Sequence, residues 1–212
     1  MEPIPSHWPP PDEAQDETRV YPLFLLPQVL VPYTMLNLVI FEPRYLQMME
    51  DVLDGQGRIV LGTALEGQSL AGSPPFHTVA GLGEIGRHDR LPDGRYHIVL
   101  VGLQRVVAAE VESERLYRKV AVETAVEIPV PTEREEELRD ALMDAIRERT
   151  EQKVELPEQV PTSRLADLLM LRMPLDESAR NALYAELDTE KRARVALAHH
   201  ETLPPNENAP EA

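Results

Sequence analysis

Cysteine is absent from the 212 residues of this chain. That single absence removes disulfides, thiolate zinc sites, iron–sulfur clusters and cysteine nucleophiles together. Basic residues are also scarce, with 21 Lys and Arg against 37 Asp and Glu and a formal net charge of −16. A protein that grips a phosphate backbone gains affinity by neutralising phosphates, and no segment of this chain is basic. Nucleic acid and anionic membrane are therefore disfavoured partners. Long apolar runs are missing too, since no stretch approaches the roughly 18 residues needed to cross a bilayer. The opening Met1–Pro11 has neither the basic nor the apolar part of a secretory leader, so the expected address is the cytoplasm.

Recognisable catalytic and cofactor signals are equally sparse. The histidines (His7, His77, His88, His97, His199 and His200) show no H-E-x-x-H spacing. The serines lack a nucleophile elbow, and only Lys119, Lys153 and Lys191 are available to activate one. Gly81-Leu-Gly-Glu-Ile-Gly86 matches G-x-G-x-x-G, but a dinucleotide site needs a helix next, whose N-terminus holds the pyrophosphate. Here Pro92-Asp93-Gly94 follows within a strand's length, and the glycines are expected to serve bulges or close strand approach. The expectation is no enzyme, no cofactor and no metal; a hydrolase site assembled only in space is kept as an alternative, which a polar pocket pairing a His with a nucleophile would revive.

What the chain does contain is a 42% apolar complement, enough for a real core. Residues 1–19 hold five prolines and five acids around Trp8, and 201–212 are similar in character, so both read as disordered extensions of a folded centre. Between them the hydrophobic period changes. Residues 20–130 are written in short β-branched runs (Ile59–Leu65, Tyr96–Val101, Val120–Val126), and Asp93-Gly94 is read as a type I′ turn between two of them. One helix interrupts, starting at Glu42-Pro43 and stopped by Gly55. Its face of Tyr45, Met48, Met49, Val52 and Leu53 is expected to close a barrel.

Residues 131–200 take the helical period. Thr132-Glu-Arg-Glu135 reads as a capping box before a helix to about Lys153, and three further helices are expected near 163–173, from 176 and over 190–200. The fold class is α+β: a β-barrel followed by a helical bundle.

Several blocks resemble a known family. Tyr21-Pro-Leu-Phe-Leu-Leu-Pro27, Leu36-Asn-Leu-Val-Ile-Phe-Glu-Pro-Arg-Tyr45, Gly81–Ile85, Pro92-Asp-Gly-Arg-Tyr96 and Gly102-Leu-Gln-Arg105 are similar, in order and spacing, to the Lon protease N-terminal (substrate-binding) domain. The helical half, through Ala166-Asp-Leu-Leu and Asn181–Asp188, matches more loosely. The resemblance implies a PUA-like barrel on a helical bundle that engages unfolded or specific protein substrates, as a stand-alone bacterial module without the nucleotide-binding motif of Lon. Pro32-Tyr33 stands where that family usually has Pro-Gly, and Asn37-Leu38 where it has Pro-Leu.

The candidate peptide-binding residues are Phe24, Tyr33, Met35, Phe41, Glu42, Arg44 and Tyr45, an apolar group with a charged rim that an open strand edge would assist. Tyr33 and Met35 either enlarge that surface or pack. Asp93, Arg95 and Arg105 form a second charged set. Either Glu42 caps its helix while Arg44 or Arg105 pairs with a carboxylate such as Asp93, or these charges line the groove. RNA binding through Arg87, Arg90, Arg95 and Arg105 is the alternative.

Overall fold

The computed structural model describes residues 19–67, 73–150 and 159–204. Most of the arm over 1–19, the tail beyond 204 and Lys153 lie outside the described residues. The chain divides into two compact units, one holding the strands and the other holding 125 onward with the short pieces 27–29 and 65–67.

The first unit contains β1 (Arg19–Leu25), β2 (Met35–Ile40), α1 (Pro43–Leu53), β3 (Arg58–Gly62), β4 (Val79–Arg90), β5 (Tyr96–Val111) and β6 (Lys119–Thr124). The strand order is β2-β5-β4-β3-β1-β6, and β6 pairs again with β5. Five strands therefore close on themselves, and β2 hangs from the first half of β5 as a branch. The length of β5 makes this possible: its residues 96–101 pair with β2 and 106–111 with β6, while β4 runs along its other side. All pairings are antiparallel except β1 with β3.

Alternation along the strands separates two apolar layers. Leu23 and Leu25 of β1 join Val60, Leu82, Val106, Val120 and Val122, a cluster drawn from all five closed strands and hence the barrel interior. Phe24, between them, points the other way, into a cluster with Tyr45, Met48, Met49, Val52, Ile59, Leu61 and Leu100. The helix face read from the sequence is thus buried, but it covers the outside of the barrel; β5–β6 pairing, rather than α1, effects the closure.

Two glycines admit close approaches. A Cβ on Gly83 would lie 2.7 Å from Leu30 Cδ2, and one on Gly102 would lie 2.3 Å from the Val31 carbonyl oxygen. Register shifts fall between Leu82 and Gly83 and between Ile85 and Arg87, so the whole G-x-G-x-x-G segment sits in a bulged strand. The 92–94 turn is not type I′. Only Gly94 has positive φ (87°), Gly94 N–H donates to Leu91 O at 3.0 Å, and Pro92 occupies the second position, which makes a type I turn followed by a glycine bulge.

In the second unit, α2 (Thr132–Glu148), α3 (Thr162–Arg172), α4 (Glu177–Ala185) and α5 (Thr189–Thr202) bury Leu138, Leu142, Leu165, Leu169, Leu183 and Ala193. Helix α5 runs two residues into the segment read as tail. The capping box does not form: Pro131 is the N-cap of α2, and Glu135 Oε1 accepts instead from Thr162 Oγ1 of α3 at 2.9 Å. Caps do form at Asp176 (from Ala179 N–H, 2.7 Å) and Asp188 (from Lys191 N–H, 3.1 Å). Arg192, 1% exposed, meets Glu127 at 2.7 Å and Asp167 at 3.4 Å, so its buried charge is compensated.

Candidate functional site

The site begins with a turn. Thr34 N–H donates to Val31 O at 3.2 Å, Pro32 occupies the second position, and Tyr33 in the third has φ 64°. Proline cannot take positive φ, so this is a type II turn, whose third position favours glycine. Tyr33 thus carries a side chain, 52% exposed, at a turn position whose backbone favours glycine. The turn docks on Gly102 through Tyr33 N–H to Gly102 O (2.6 Å) and Gly102 N–H to Thr34 O (2.9 Å). Only a glycine leaves room for that approach.

From this turn β2 departs with strict alternation. Leu36 and Leu38 pack against the α1-covered cluster, whereas Met35, Asn37 and Val39 face outward, and Phe41 continues their row. Met35 is 69% exposed, Phe41 62% and Val39 42%. The register sets Met35 beside Val101, Asn37 beside Val99 and Val39 beside His97 on β5, with Arg87 and Asp89 of β4 beyond. Asn37, Val39, Arg87, Asp89, His97 and Val99 line a shallow concavity of about 330 Å³. Arg87 and Asp89, two residues apart on β4, pair along its wall at 3.1 Å.

Of the sequence candidates, Tyr33, Met35 and Phe41 lie on this face, and Tyr33 and Met35 are surface residues rather than packing ones. Phe24 and Tyr45 do not, because both are core residues stacked edge-to-face with centroids 4.5 Å apart. Burial raises the Tyr45 phenol pKa, with Arg44 opposing. Glu42 is the N-cap of α1 without a side-chain cap bond; its carboxylate accepts from Arg44 Nε at 3.0 Å, and that guanidinium lies 4.6 Å over the Tyr45 ring.

The second charged set is not a unit. Asp93 pairs with Arg95 at 2.7 Å within the turn, and the backbone N–H of Arg95 holds the Asp93 carboxyl below its usual range. Arg105 is buried opposite Gly81, about ten residues along β5 and so about 30 Å from that turn. Of the residues read as an RNA surface, Arg105 is buried and remote, whereas Arg87, Arg90 and Arg95 share the end of the β4–β5 hairpin and each faces a carboxylate, Asp89, Glu50 and Asp93. Among the described residues that line the concavity, none beside His97 is a serine, threonine, cysteine or lysine.

Sequence reasoning missed Val39, Val99 and Val101. The signal for Val39 is the run Met35–Phe41, apolar on both faces but for Asn37, and that for Val99 and Val101 is Tyr96–Val101, whose alternate positions are also largely apolar.

A sequence profile described as the ATP-dependent protease La (LON) substrate-binding domain matches residues 20–199. Comparison with curated proteins gives no match. Among solved structures, a Lon N-terminal domain protein from Xanthomonas campestris superposes with a TM-score of 0.64 at 22% identity, covering 88% of this chain and 99% of its own. The N-terminal domain of Mycobacterium avium complex Lon protease gives 0.68 at 15% identity, covering 88% and 100%.

Proposed function

The chain belongs to the Lon substrate-binding domain family, and on that premise we propose that it is a non-catalytic, cytoplasmic protein-binding module that recognises unfolded segments of other proteins, as an adaptor or regulator in protein quality control. The observation that carries this reading is the outward row Met35, Val39 and Phe41, with Tyr33 at its entrance. A folded domain leaves four large apolar side chains exposed on one strand and its two flanks, and such patches mark interaction surfaces. Methionine there suits varied partners, because its flexible thioether adapts to different shapes. The neighbouring charges are already paired with one another, which leaves apolar contact as the main attraction.

Isothermal titration with a reduced, carboxymethylated protein, which cannot fold, tests the reading against the same protein in its native state. Binding of the unfolded form with a Kd on the order of tens of micromolar, and none of the native form, is expected. Equal affinity for both, or for neither, would refute it.

A further inference from the structure

We infer that the free edge of β2 receives an extended, proline-free segment of a partner polypeptide as an added strand, apolar at alternate residues and flanked by Lys or Arg. The inference rests on the protein-binding reading above and specifies how that binding is made.

The backbone supplies the first argument. Gly102 N–H bonds to Thr34 O, and Thr34 stands one pair beyond Met35–Val101 in the ladder. In an antiparallel ladder alternate residues bond to the partner strand. Thr34, Leu36, Leu38 and Ile40 therefore bond toward β5, and Met35, Asn37 and Val39 direct their N–H and C=O groups to the opposite edge. β2 is terminal in the strand order, and among the described residues those three backbone sites have no partner.

The edge also lacks protection. Exposed edges are normally blunted by lysine, proline or a bulge. Tyr33–Phe41 runs nine residues without a charge or a proline, at high β propensity and with no register shift against β5. Its side chains stand beside the same edge, so one added strand takes both the hydrogen bonds and the apolar row.

Sequence and charge identify the occupant. The chain's own termini do not suit: residues 1–11 hold five prolines, 12–18 hold four acids, and 203–212 hold three prolines. Proline has no N–H to give to a ladder. A second copy presents a matching strand but brings another −16 of charge, which opposes association. The same field attracts a cationic segment.

The test uses the full chain and a ten-residue peptide of alternating valine and threonine between lysine pairs, followed by titration calorimetry. A peptide N-methylated at two adjacent central residues blocks both of its edges. Asn37→Pro removes only an outward N–H, which an edge strand tolerates, and a thermal melt checks its fold. Each change is expected to weaken binding about tenfold or more, and exchanging the lysines for glutamates also weakens it. Unchanged affinity for the methylated peptide, with binding still lost in Met35→Ser/Phe41→Ser, overturns strand addition but leaves the protein-binding reading intact. If neither this peptide nor the unfolded protein binds, both fall. A concentration-dependent dimer abolished by Asn37→Pro gives the edge to a second copy and overturns the inference.

Discussion

Phe24 meets Tyr45 edge-to-face with ring centroids 4.5 Å apart, and this contact fastens α1 to the outside of the barrel. Both residues belong to the core, not to a binding surface. Phe24→Ala is expected to cost about 3–5 kcal/mol in chemical unfolding, because the ring leaves a cavity among Met48, Ile59 and Leu61. Peptide affinity of the folded fraction should not change. Loss of affinity without loss of stability would return Phe24 to the site.

Tyr33 keeps an L-residue at φ 64°, where a glycine is unstrained. Tyr33→Gly is expected to stabilise the fold by about 1 kcal/mol, read as a higher melting temperature, while weakening the binding of unfolded protein. The two effects have opposite signs, so a merely structural role for Tyr33 predicts only the first.

Gly102→Ala and Gly67→Ala separate two reasons for glycine. At Gly102 a Cβ meets backbone, the Val31 carbonyl oxygen at 2.3 Å, and the turn that presents Tyr33 must move. At Gly67 nothing lies within 4 Å and only the φ of 70° resists. Denaturant titration should show about 1–2 kcal/mol lost at Gly67 and more at Gly102, with binding impaired only in the latter.

Tyr117 donates to Asp51 Oδ2 at 2.8 Å, and burial, with that carboxylate, pushes its phenol up to about 12. A raised folded pKa means that the unfolded chain releases its proton first. The contribution of Tyr117 is whole below about pH 10, the ordinary phenol value, and is lost as pH rises toward 12. Wild-type stability should fall more steeply between about pH 10 and 12 than that of Tyr117→Phe; parallel curves would refute the assignment.

Local signals made α1 legible: Pro43 at the first turn, then apolar residues three and four apart. The two-half organisation followed from a change of period. The capping box failed because Pro131 already serves as N-cap and Glu135 is drawn to Thr162, 27 residues away. Asp93-Gly94 was legible as a turn, but its type depended on Pro92. Phe24 could not be assigned from sequence, since β1 is buried on both faces and its apolar run does not say which layer each residue enters. Met35 and Phe41 were legible as exposed apolar residues, whereas Val39 poses the converse problem. A strand that is apolar on both sides reads as central, and only the pairing order reveals it as a branch with one face and one edge open.

The most direct test of the central claim compares wild-type protein with Met35→Ser/Val39→Ser/Phe41→Ser in titrations with the carboxymethylated unfolded protein. All three side chains face solvent, so the melting temperature should stay close to wild type while affinity falls about tenfold or more. Undiminished affinity in a folded triple variant would contradict the assignment of binding to β2.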